Sequence, residues 1–213
     1  MPRPRSRRLL LACALGLALA PGCAEKGPPP VLVPPRLDLA RFPTLGIVEF
    51  DATGGSGLGA LATREFLAAL HDAQPGTPVL ELGTASRAFA LPSGVAPDAE
   101  AVRALGARAH VDALVLGSIV ERKARPRVAL DAGGLAASAQ LLGTLDLRVL
   151  DARSGATVWS TAVRGEVPVA ALGVARIGVP RLDATPVEEA RGALVRSLVD
   201  EACFDLRPRW VRR

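Results

Sequence analysis

The ten residues Val111 to Val120 (VDALVLGSIV) constrain this chain more than any other segment. Their nearly continuous apolarity reads as a strand buried on both faces, and such a strand needs a layer of structure on either side of its sheet. The neighbouring sequence supplies those layers. Thr44 to Phe50 is a short apolar run rich in strand formers. It leads through the glycine-rich Asp51 to Gly57 into Leu58 to His71, where Leu58, Leu61, Ala62, Phe66, Leu67 and Leu70 recur at helical spacing. Pro78 to Leu82 is a brief strand. Pro97-Asp98 opens a helix that runs to about Ala109, with Val102, Leu105 and Ala109 on one face. Leu142 to Leu150 and Thr157 to Arg164 alternate in polarity around Asp151 to Gly155, a hairpin with Gly155 where positive φ is needed. Pro186 to Phe204 is a closing amphipathic helix with Ala190, Leu194, Leu198 and Cys203 toward the core. The order βαβαβββα predicts an α/β sandwich, a mixed central sheet packed by helices. Arg125 to Gln140 is Ala- and Gly-rich and gives no clear element, and Val167 to Thr185 reads as a long loop or a weak extra strand pair.

The amino terminus carries an export signal. Arg3, Arg5, Arg7 and Arg8 precede a twelve-residue apolar run, Leu9 to Ala20, closed by Pro21-Gly22-Cys23. As a helix that run would be about 18 Å long, short of the roughly 30 Å of hydrocarbon in a bilayer, so it does not serve as a spanning anchor. Leu19-Ala20-Pro21-Gly22-Cys23 resembles a bacterial lipobox, which makes residues 1–22 a signal peptide and Cys23 the acyl acceptor. Leu10-Leu11-Ala12-Cys13 is a competing box with too little apolar sequence before it, and an ordinary signal cut near Ala20 or Gly22 is the alternative. Ala24 rather than Asp after the cysteine points, by analogy with enteric bacteria, to the periplasmic face of the outer membrane. With Cys13 discarded and Cys23 acylated, Cys203 is the remaining thiol and no intramolecular disulfide can form. Residues 23–43 follow as a lipidated, Pro-rich tether, the six prolines after Cys23 favouring extended backbone.

Charge then excludes one partner class. The full chain is formally +5, but removal of residues 1–22 takes away four Arg and no acid, leaving 5 − 4 = +1. Nucleic-acid binding loses its main support. The remaining basic cluster, Arg207, Arg209, Arg212 and Arg213 around Trp210, reads as a solvated tail (207–213) that could also touch an anionic surface.

Chemistry-bearing residues are sparse. Gly54 to Gly59 lies between a strand and a helix, where a phosphate could sit, but lacks the spacing of a dinucleotide fingerprint and the Lys-Ser/Thr of a P-loop; it reads as a turn and helix cap. Ser56 and Ser118 stand outside any G-x-S-x-G elbow, and His71 and His110 are the two possible bases. Two separated histidines and a helical cysteine offer no metal-ligand spacing, and Asp112 and Asp146 read as isolated carboxylates. No catalytic constellation, cofactor or metal is expected. Phe50, Phe66, Trp159 and Phe204 read as core, with Trp159 or Trp210 as candidate interface anchors.

Leu45-Gly-Ile-Val-Glu-Phe50, Gly106-Ala-Arg-Ala-His-Val-Asp-Ala-Leu-Val-Leu-Gly-Ser118 and Leu147-Arg-Val-Leu-Asp-Ala-Arg-Ser-Gly-Ala-Thr-Val-Trp-Ser160 together resemble recurring blocks of the bacterial envelope domain shared by CsgG, LpoB and the amino-terminal domain of TolB. The resemblance covers about residues 44–204 and implies a non-catalytic α/β domain (44–206) used in envelope assembly. The expectation is a lipid-anchored outer-membrane protein that acts as a protein-interaction or assembly module, with envelope proteins as partners and possible homo-oligomers. Two alternatives stand beside it: a subunit of an oligomeric CsgG-like secretion channel, and an envelope hydrolase using Ser56 or His110. A channel needs membrane hairpins of alternating polarity. Residues 122–142 and 167–185 have the length, but Arg125, Pro126, Arg127 and Asp131 crowd the first while Pro168, Arg176, Pro180 and Arg181 interrupt the second, so the channel ranks below the module.

Overall fold

The computed structural model describes residues 30–90, 95–131, 134–175 and 181–212. Its elements are β1 (Val31–Val33), β2 (Leu45–Glu49), β3 (Asp51–Thr53), α1 (Leu58–Ala73), β4 (Val79–Thr84), α2 (Ala85–Phe89), α3 (Ala99–Ala109), β5 (Ala113–Asp131), β6 (Gly134–Asp151), β7 (Thr157–Ala175), β8 (Arg181–Ala184), α4 (Val187–Ala202) and β9 (Arg209–Val211), with 3-10 turns at Leu39–Arg41 and Cys203–Leu206. The expected signal peptide (1–22) and the expected acyl acceptor Cys23 lie outside the described residues.

The main sheet runs β4-β2-β5-β6-β7-β8, with β3 also paired to β5. β4, β2 and β5 are parallel, and β5 to β8 form an antiparallel meander, so the mixed α/β sheet expected from the sequence is present. Parallel strands need crossovers. α1 supplies the one from β2 to β4, and α2 with α3 the one from β4 to β5. Leu114 packs with Val48, Val102, Leu105 and Leu150 on the α2/α3 face, and Ala113, Val115 and Ile119 with α1 and α4 on the other, which is the two-sided burial that the Val111–Val120 run required. Ala190, Leu194, Leu198 and Cys203 are all buried.

Local chemistry sets the element ends. The Asp98 side chain accepts the Ala101 amide at 2.8 Å to cap α3. Asp151 accepts from the Ser154 amide and hydroxyl, each at 2.8 Å, and these bonds hold its carboxyl below the usual range. Gly155 closes that turn at φ 75°. Gly59, in the first turn of α1, faces the Phe50 carbonyl oxygen so closely that a Cβ has no room.

Four expectations are corrected. The 34–43 half of the tether is part of the folded domain: Leu37, Leu39 and Phe42 are buried, and the Gln74 side chain accepts from the Leu39 amide (2.7 Å) and donates to the Leu37 (2.7 Å) and Leu206 (3.0 Å) carbonyls. Phe204 is exposed rather than core, with the Arg209 guanidinium 4.4 Å over its ring. Arg209–Val211 is a strand paired with Val31–Val33 instead of a frayed tail. Within 122–142 and 167–185, the described residues 122–131, 134–142, 167–175 and 181–184 are strand ladder, set out below.

Two outcomes follow. Gly59→Ala forces a shift of Phe50 or α1 and lowers unfolding stability by about 1–3 kcal/mol, read from a urea titration. Burial pushes the Cys203 thiol up to about 12. In the unfolded chain a thiol ionises above about pH 8.5, so the stability linked to Cys203 is complete below that pH and is lost as pH rises from there through the folded value. Ellman's reagent at neutral pH therefore leaves Cys203 unreacted until denaturant is added.

Candidate functional site

The strands β5, β6 and β7 outrun the helices that cover them. Leu194 and Leu198 of α4 lie against Gly143, and the covered face ends near Leu141 and Val169. Beyond that point the ladder continues. Arg125 to Asp131 pairs with Gln140 to Gly134, Gly134 to Ala139 pairs with Ala175 to Ala170, and Ala170 to Gly173 pairs with Ala184 to Arg181. The result is a four-stranded antiparallel ribbon.

Two irregularities set its polarity. The register shifts between Arg122 and Arg125 on β5, and again where Ala139 and Gln140 pair with Ala170 and Pro168, leaving Val169 as the extra residue on β7. A bulge changes which face the following residues occupy. Past the bulges, strand alternation places Pro126, Val128 and Leu130 of β5, Leu135, Ala137 and Ala139 of β6, Ala170, Leu172 and Val174 of β7, and Leu182 and Ala184 of β8 at positions on one face. Every one is apolar. The opposite face takes Arg125, Arg127, Asp131, Ser138, Gln140, Arg181 and Asp183 among small residues. The alternation judged poor in the sequence is regular once the bulges are counted. Among the described residues, Arg125–Asp131 pairs only with β6, and β8 only with β7, so both ribbon edges carry free backbone groups.

The base of the ribbon is clamped. Arg191 of α4 meets Glu121 of β5 through Nε at 2.5 Å and Nη2 at 3.1 Å, and its Nη1 reaches Glu188 at 2.6 Å. Arg191 and Glu121 side chains are only 11% and 12% exposed, whereas Glu188 is at the surface. The hydrogen bonds to Glu121 hold the guanidinium well above its ordinary pKa. Gly55, in the loop before α1, lies directly over Arg191. The glycine loop thus closes on an arginine already paired with protein carboxylates.

A cleft of about 500 Å³ opens on the sheet face left bare beside α2, with Glu49, Asp51, Ser118, Asp146 and Arg148 in its lining. Among the described residues no group of three His, Cys, Asp or Glu could hold a metal. Ser56 follows the carboxyl end of β3, and His110 precedes the amino end of β5. Because β3 and β5 are parallel, the two residues sit at opposite ends of the sheet and cannot act as a nucleophile-base pair. His71 is exposed at the end of α1. Asp112 is not isolated: it accepts the Thr44 amide at 3.1 Å and pairs with Arg153 at 3.2 Å. Trp159 on β7 is half-buried against the core, and Trp210 on β9 is exposed. No described helix is long and apolar enough to cross a membrane.

Removing Arg191 while keeping Glu121 strands a mostly buried carboxylate, so Arg191→Leu lowers stability by roughly 3–5 kcal/mol. The double variant Arg191→Leu/Glu121→Leu recovers much of that loss, and Glu188→Ala changes stability by less than about 1 kcal/mol. A urea-unfolding double-mutant cycle reads all three.

No protein-family model matches the sequence, and no curated protein does. Similar solved structures include the PelC dodecamer from Paraburkholderia phytofirmans, at TM-score 0.46 and 16% identity over 84% of this chain and 97% of that one. Lipoprotein GNA1162 from Neisseria meningitidis follows at 0.39 and 14% identity, over 74% and 96% of the two chains. The LpoB C-terminal domain from Salmonella enterica has 0.37 and 12% identity, over 57% and 81%.

Proposed function

We propose that this chain is a non-catalytic, lipid-anchored assembly module of the bacterial cell envelope, held by Cys23 at the periplasmic face of the outer membrane, and that it works by self-association through its ribbon. One observation carries the reading: among the described residues, a four-stranded ribbon whose register gathers apolar positions on one face and whose two edge strands have no further strand partner. Such a surface is a liability for an isolated monomer in water. Edge pairing between copies satisfies the free backbone groups, and a shared apolar face removes the exposed patch. The anchor concentrates copies in the plane of the membrane and raises the effective concentration for that pairing.

A second reading, a channel subunit, is favoured by the same alternation, because lipid tolerates strands only in a closed barrel with apolar residues outward. Length separates the two. The ladder beyond the β5 bulge is seven pairs, about 23 Å along the strand. Spanning strands run about nine to eleven tilted residues, and among the described residues β8 contributes four.

The test uses the native protein extracted from membranes in mild detergent. Mass spectrometry of its amino terminus is expected to find acylated Cys23, and native mass spectrometry to find a closed oligomer. Leu135→Arg, on the apolar face, dissociates that oligomer, while Ala136→Arg, on the opposite face, leaves it intact. A wild-type monomer, or equal behaviour of the two variants, contradicts the module reading; ion conductance of the purified rings in planar bilayers selects the channel.

A further inference from the structure

β1 and β9 form a two-stranded sheet separate from the main one. Five of its six positions are apolar and exposed: Val31, Leu32, Val33, Trp210 and Val211, with Trp210 at 68%. Two strands alone are marginal in water, and an exposed Trp beside aliphatic side chains adds apolar surface that water does not favour. This sheet therefore calls for a cover.

Two features on the chain say what the cover is. The carboxyl-terminal residues 207–213 (RPRWVRR) hold four arginines and no acid, so the strip is bordered by positive charge. The sequence ahead of β1 carries Cys23 only eight residues before Val31, a contour of at most about 28 Å. An apolar strip with a Trp, flanked by arginines and leashed that close to an acyl anchor, matches the zone of a bilayer where indole rings sit at headgroup depth and arginines meet anionic phosphates.

We propose that the Val31–Val33/Arg209–Val211 sheet docks on the anionic lipid surface of the membrane to which the chain is anchored, with Trp210 at headgroup depth and Arg212 and Arg213 on lipid phosphates. The proposal rests on the anchoring reading but adds a second membrane contact. Attachment is then two-point, through acyl chains and through a protein surface, and this fixes how the chain's two ends face the bilayer rather than leaving them on a free leash.

The test uses the full mature lipoprotein reconstituted into vesicles of phosphatidylethanolamine and phosphatidylglycerol, with Trp159→Phe so that Trp210 is the remaining Trp. Lipids brominated near the headgroup are expected to quench its emission roughly twofold, with a blue shift relative to the urea-unfolded protein. Arg212→Glu/Arg213→Glu, or vesicles of phosphatidylcholine alone, weaken that quenching. Trp210→Ala keeps the wild-type urea midpoint, separating docking from folding. Quenching by aqueous iodide with no effect of bromolipid overturns the proposal. So does a blue shift that grows with protein density and ignores bromolipid, because a second copy then covers the strip. Mass spectrometry of the same sample reports Cys23 independently. If Cys23 is unmodified the anchoring reading fails, and the strip is judged by whether protein added from solution brings Trp210 to the bromolipid; if it does not, the docking proposal fails as well.

Discussion

The structure depends on a mismatch of lengths. A strand of 19 residues extends roughly 60 Å, while a helix of 16 residues extends about 24 Å. α1 and α4 therefore leave part of the face that β5, β6 and β7 present to them without a helix over it, beyond Leu141 and Val169. The covered half is an ordinary α/β core, closed by Phe50, Phe66, Leu194 and Leu198. Beyond it the ladder keeps the same alternation of positions. The Arg191–Glu121 pair sits at the border between the two, tying the first turns of α4 to the strand just before the ladder continues alone. A buried ion pair adds little net stability against an apolar replacement, yet it fixes one geometry, and here it fixes where the ribbon leaves the domain.

The sequence made the core legible because its periods are undisturbed there. Val111 to Val120, the α1 stripe and the capping Asp98 each carry a local signal that tertiary structure respects. The ribbon was not legible because bulges break the count. Carried straight through Arg122, the alternation puts Arg125 and Arg127 on the face of Ile119 and Glu121; with the register shift they fall on the opposite, polar side, and Pro126 and Val128 take the apolar one. Strand β6 alone has no such break across the ribbon, and Leu135, Ala137, Ala139 and Leu141 already alternate in its sequence. The tether and tail were misjudged for a different reason. Leu37 and Leu39 lie between prolines, and Arg209–Val211 lies among arginines, so composition masked a tertiary contact in one case and a strand pairing in the other.

Side chains that could have carried chemistry are spent on architecture: Asp112 holds Thr44 and Arg153, Asp151 holds its own turn, Arg191 holds the ribbon, and Cys203 is sealed in the core. Beside these stand the ribbon, with its two unlike sets of alternating positions, and the exposed strip formed by Val31–Val33 and Arg209–Val211.

Everything in this account turns on the two-residue period of the ribbon in its working environment. Single cysteines placed one at a time from Leu135 to Gln140 and treated in native membranes with a membrane-impermeant maleimide report it directly, since Cys203 is buried and does not compete. The account predicts alternation, with positions 136, 138 and 140 labelled and positions 135, 137 and 139 protected. Uniform labelling across all six would mean that neither lipid nor protein covers either face, and would contradict it.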